Sequence, residues 1–112
     1  MNPILMIRDS IYTVISSALE KARETGKLTY QTLPEFVIEV PREKGHGDFA
    51  CNVAMLMARE ARMAPRKIAE IILEMIDDHP LEAIDKIEVA GAGFINIFLD
   101  RSWLYPLPAR IY

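Results

Sequence analysis

Phe94 and Asn96 stand two positions apart in the run Phe94-Ile95-Asn96-Ile97-Phe98-Leu99. Side chains of an extended strand alternate between faces, so Ile95, Ile97 and Leu99 share one side while Phe94, Asn96 and Phe98 share the other. The all-aliphatic set is the core face. If the other side meets water, it presents an aromatic ring beside an amide, a pairing suited to an unpaired nucleobase. The ring offers a stacking surface, about 1–3 kcal/mol per base, and the carboxamide offers a donor and an acceptor to a base edge. Gly91 and Gly93 carry no side chains, leaving room for a bulky ligand beside the backbone. The same spacing also fits a plainer role, in which Phe94 and Phe98 cover the second face of a sheet and Asn96 hydrogen-bonds within a loop.

Other groups with chemical potential are fewer. His46-Gly47-Asp48 puts an imidazole near a carboxylate, the pieces of an acid–base pair, but no nucleophile or third ligand lies at a telling spacing. Asp48 is better read as a helix cap and His46 as a loop residue. Lys44-Gly45-His46-Gly47 before a helix could cradle a phosphate through backbone N–H groups, without the Walker pattern. Cys51 reads as an inert thiol. Two histidines and one cysteine, far apart in sequence, argue against a structural zinc site. No catalytic residue and no metal ligand is therefore assigned. Arg59, Arg62, Arg66 and Lys67, less Glu60, give a net charge of +3 over nine residues, and Arg42 and Lys44 form a second basic pair. Both are candidate phosphate contacts, and both are also ordinary solvated surface. Glu70, Glu74, Asp77, Asp78, Glu82 and Asp85 form an acidic tract that a phosphate backbone would avoid.

These residues must be held by a small number of elements. Ile4, Ile7, Ile11, Val14, Ile15, Ala18 and Ala22 recur at steps of three and four, one buried face of a first helix. Asn2 and Pro3 start it and Gly26 stops it. Lys27–Glu35 is a polar connector. Phe36–Val40 alternates as a short strand with Phe36, Ile38 and Val40 on one face, closed by Pro41. Asp48 caps a second helix over about Phe49–Arg62. Pro65 opens a third, to about Asp78, ended by His79-Pro80. Ile84–Ala90 and Phe94–Leu99 form a hairpin about Gly91-Ala92-Gly93. The order helix, strand, helix, helix, strand, strand predicts a two-layer α+β domain, with helices on one face of a small, mainly antiparallel sheet.

Bulk numbers fit one such domain. The 112 residues are 51% hydrophobic and 26% charged, with a net charge of -3, an ordinary globular balance with no general basic coat. A lone cysteine excludes an internal disulfide and fits a reducing compartment. Apolar runs of about six residues are far short of the roughly 20 needed for a membrane span, so no membrane association is expected.

The string Ile87-Glu88-Val89-Ala90-Gly91-Ala92-Gly93-Phe94-Ile95-Asn96-Ile97-Phe98-Leu99 resembles the signature that ends the N-terminal additional domain of arginyl-tRNA synthetases. Gly47-Asp48-Phe49-Ala50-Cys51-Asn52 and Ala64-Pro65-Arg66-Lys67-Ile68-Ala69 agree in order and spacing, so the resemblance covers approximately Ile4 to Asp100. It implies helices over an antiparallel sheet, and contact with the D-loop at the outer corner of tRNA. In the family the aromatic after the hairpin glycines packs on a D-loop base and the polar residue two further on contacts it; those positions are Phe94 and Asn96. Phe94 replaces the tyrosine of some members, which keeps the stack and loses a phenolic hydrogen bond. The class I signatures His-Ile-Gly-His and Lys-Met-Ser-Lys-Ser occur nowhere in the chain. The resemblance thus implies a non-catalytic tRNA-binding domain over residues 1–100, with 101–112 starting a linker helix or forming a tail. Its partners would be arginine-accepting tRNA and the catalytic domain of an ATP-dependent arginine–tRNA ligase in the cytoplasm. ATP and Mg2+ would belong to that catalytic domain, and this chain would hold no cofactor. The rival expectation is a stand-alone α+β protein-interaction module using the same open face.

Overall fold

Isoleucines and alanines at helical spacing make α1 (Pro3–Glu24) one-sided: Ile7, Ile11, Ile15, Ala18, Leu19 and Ala22 are buried. The computed structural model describes residues 3–76 and 81–100, with side chains from Met6 onward apart from Lys44. The expected end at His79-Pro80, the acidic Asp77 and Asp78, and the 101–112 tail lie outside the described residues. α1 packs beside α3 (Pro65–Met75), which in turn packs beside α2 (Val53–Ala61). Ile68, Ala69, Ile71 and Ile72 form the buried stripe of α3.

The helices cover one face of a four-stranded antiparallel sheet of order β1-β2-β4-β3. Its strands are β1 (Ile38–Glu39), β2 (Phe49–Cys51), β3 (Ile84–Ala90) and β4 (Phe94–Leu99). The hairpin has the predicted bounds, and its register sets Val89 opposite Ile95 and Ile87 opposite Ile97. The fold is the two-layer α+β domain that the sequence predicts, in the predicted order, with β2 added between the first strand and the second helix. Among the described residues no helix is long and apolar enough to cross a membrane.

β2 corrects the predicted helix start. Phe49, Ala50 and Cys51 are buried strand residues rather than the first helical turn, and α2 begins at Val53. Asp48 does not cap that helix. Its backbone N–H donates to the Ile97 carbonyl at 2.9 Å, and its carboxylate accepts from the Leu99 N–H at 2.8 Å. Both bonds tie residue 48 to β4, so the following three residues pair with Ile97, Asn96 and Ile95 in turn. Gly47 makes the approach possible. It has φ +91, and a Cβ there would lie 2.7 Å from the Ile97 oxygen. β1 is shorter than the predicted Phe36–Val40 because β2 offers it only two partners, Cys51 and Ala50. Val40, expected on the core face with Phe36 and Ile38, is 61% exposed. α2 ends at Ala61, with Arg62 in the left-handed region (φ 54), and α3 ends at Met75, short of the predicted Asp78.

Candidate nucleic-acid interface

Alternation in β4 places Ile95, Ile97 and Leu99 under the helices, with Ile95 and Ile97 wholly inaccessible. Phe94, Asn96 and Phe98 therefore point to the uncovered side. Across that side the register aligns Glu39, Ala50, Asn96 and Glu88 in a single row over all four strands. Ala50 and Ala90 are small, so the surface dips between larger neighbours. The result is a groove of about 390 Å³ lined by Glu39, Pro41, His46, Ala50, Ala90, Gly91, Phe94 and Asn96.

Phe94 forms the exposed wall of this groove, with 43% of its surface accessible. Asn96 lies deeper than the alternation alone predicts. It is on the expected side, yet only 5% accessible, because the segment carrying Pro41 and His46 rises beside it and makes it part of the groove lining. Its carboxamide hydrogen-bonds to no other side chain or backbone group among the described residues. Its polar atoms are not sealed from solvent, so water meets their hydrogen-bonding capacity until a ligand in the groove replaces it. Phe98, also on this side, is occupied differently: the Lys86 ammonium sits 4.5 Å from its ring centroid and pairs with Glu88 at 3.1 Å.

The two hairpin glycines do different work. A Cβ on Gly91 would meet only Phe94 Cδ2, at 3.9 Å, so the space beside Gly91 is open to a ligand. The space beside Gly93 is not, which corrects the expectation from sequence. With φ +140, its missing side chain admits Pro65, and a Cβ would come within 2.8 Å of the proline carbonyl carbon. The hairpin turn is thereby seated on the start of α3.

Of the basic residues, Arg42, Arg59, Arg62, Arg66 and Lys67 are all exposed, and the side chain of Lys44 lies outside the described residues. Arg66 is engaged: Nη1 donates to the Gly91 carbonyl at 2.9 Å and Nε faces Glu70 at 3.7 Å. That bond and the Gly93–Pro65 contact set the start of α3 against the hairpin turn that leads into Phe94. The supposed His46–Asp48 acid–base pair does not form, since His46 pairs with Glu43 at 3.6 Å while Asp48 holds β4. Cys51, facing the core, has its thiol pushed up to about 11 by burial, and no metal-binding cluster occurs among the described residues. Sequence reading missed Glu39, Pro41, Ala50 and Ala90 as lining. Only Glu39 and Ala90 carried a signal, as residues of predicted strands; Ala50 fell in the predicted second helix.

A sheet with helices on one face and a grooved, aromatic-rimmed surface on the other defines a small two-layer α+β domain with one face left uncovered among the described residues. Residues 9–99 match the arginyl tRNA synthetase N terminal domain, and the chain belongs to that family. The arginine–tRNA ligase of Heliobacterium modesticaldum is 52% identical over 110 residues, 97% of this chain and 19% of the relative. That of Moorella thermoacetica is 44% identical over 110 residues and 20% of its length. The chain thus spans about one fifth of the length of the curated relatives it matches. The crystal structure of arginyl-tRNA synthetase from Plasmodium falciparum shares the fold, with a TM-score of 0.68 at 18% identity over 88% of this chain and 17% of that one.

Proposed function

We propose that this domain binds tRNA at the D-loop and supports ATP-dependent arginylation by the catalytic domain of an arginine–tRNA ligase. Phe94 stacks on an unpaired D-loop base and Asn96 hydrogen-bonds its edge from the groove floor. The observation that carries this reading is the pairing, in one groove, of an exposed ring with a carboxamide that has no hydrogen-bond partner among the described residues. A stack needs an accessible aromatic face, and edge recognition needs a donor and an acceptor open to the groove. Arg59, Arg62 and Lys67 supply positive surface for the phosphate backbone, with Arg42 and Lys44 as further candidate phosphate contacts. ATP and Mg2+ act at the catalytic domain, and the complex works in the cytoplasm.

The test is Phe94→Ala in the ligase that carries this domain. Arginylation of cognate tRNA should fall while arginine activation by ATP stays near its original rate; equal losses in both would reject the reading. Retention on tRNA that weakens with salt separates this function from a protein-interaction module, which would ignore RNA and self-associate with concentration.

A further inference from the structure

The turn that leads into Phe94 is clamped to the first turn of α3 at two points. Gly93 rests on Pro65, where a Cβ would lie 2.8 Å from the proline's own Cβ. The next helical residue, Arg66, reaches back to the Gly91 carbonyl oxygen at 2.9 Å. Gly91 borders the groove and lies alongside the Phe94 ring. We infer that Arg66 is a positioning residue: its guanidinium fixes the Gly91–Gly93 turn, and thereby the attitude of Phe94 over the groove, instead of serving as a phosphate contact. The inference rests on the proposed role of Phe94.

The chemistry of the side chain fits this assignment. One planar group presents Nη1 to a backbone carbonyl and Nε to Glu70, one helical turn on. A guanidinium can serve two directions at once because its donors are fixed in a fork, whereas an ammonium is a single point charge. Arg59, Arg62 and Lys67 have no side-chain partner among the described residues, so of the four cations around the α2–α3 junction these three remain to meet phosphate. Arg66 also lies beside the acidic Glu70, a poorer place for an anion.

The experiment compares the wild-type chain with Arg66→Lys, Arg66→Gln, Phe94→Ala and the two double variants. It measures tRNA affinity over a series of salt concentrations, and amide exchange of Gly93 in the free protein. The Gly93 N–H is bonded to the Ala90 carbonyl at 3.2 Å across the turn. Both Arg66 variants should lose about three- to tenfold in affinity with an unchanged salt slope. In the Phe94→Ala background the same changes should cost less than about twofold, and Gly93 exchange should quicken about tenfold. The inference is overturned if Arg66→Lys binds normally, Arg66→Gln flattens the salt slope by about 0.9, and the loss persists without Phe94. Should Phe94→Ala leave tRNA binding unchanged, the groove reading fails by itself. The exchange rate then decides the clamp, and an unaltered Gly93 amide would sink it.

Discussion

Ile95 and Asn96 are neighbours in β4, both buried, and they teach different things about the two sides of one strand. Ile95 has no accessible surface and is surrounded by the helices; Asn96 keeps 5%, the same as Leu99 on the core side. Burial alone therefore does not separate scaffold from site. What separates them is the neighbourhood. The helix-covered side is closed by Ile, Val, Phe and Ala side chains packed against one another. The open side closes over Asn96 with Pro41, His46 and Phe94, leaving a groove with unused hydrogen-bonding capacity at its floor. The first arrangement gains from excluding water, about 25 cal/mol per Å² of apolar surface. The second forgoes part of that gain and keeps a polar group ready for a partner.

Substitutions on the two sides should consequently divide between stability and binding. The largest effect is expected on the covered side. Ile97→Ala should lower unfolding free energy by about 2–5 kcal/mol in urea denaturation, because a wholly inaccessible side chain leaves a cavity. A loss under about 1 kcal/mol would mean that the helices do not pack tightly on β4. Next come the two glycines whose missing Cβ atoms admit backbone or proline. Gly47→Ala and Gly93→Ala should each cost about 1–3 kcal/mol, while Gly91→Ala, with φ +57 but open space around it, should cost only about 1 kcal/mol. Equal losses at all three would remove the distinction between packed and open turns.

Phe94→Ala sharpens the contrast from the other side. Thermal stability should change by no more than about 0.5 kcal/mol, yet tRNA affinity should drop about five- to hundredfold. A destabilisation as large as that of Ile97→Ala would place Phe94 in the scaffold. The smallest effect concerns Cys51, whose thiol is pushed up to about 11 by burial. The folded state therefore holds its proton longer than the unfolded chain does, and that contribution to stability is lost as pH rises from about 9 towards 11. Denaturation at pH 9.5 should show a loss below about 1 kcal/mol, absent in Cys51→Ala, and alkylation of the native protein at pH 8 should be slow.

Much of this division was legible before any coordinates. The stripe of α1, the Pro65 start of α3 and the bounds of the hairpin all follow from periodicities of a few residues, and alternation put Phe94 and Asn96 on the same side of β4. The resemblance carried by Ile87–Leu99 pointed to the family to which the chain belongs. β2 was not legible. Three residues, Phe49–Cys51, have too few positions to distinguish a strand from a helical turn, and Asp48 preceding them has the character of a cap.

The chain's local order determined which side chains share a face, because strand and helix periods are set by backbone geometry within a few residues. Tertiary structure alone decided that Gly47 would pass over Ile97, that Pro65 would fill the space beside Gly93, and that Arg66 would hold the Gly91 carbonyl. It alone turned Asn96 from a surface amide into a groove floor. Each of these depends on groups 25 to 55 positions apart in sequence coming together in space. No local pattern encodes such a meeting, since it exists only once the helices have settled on the sheet.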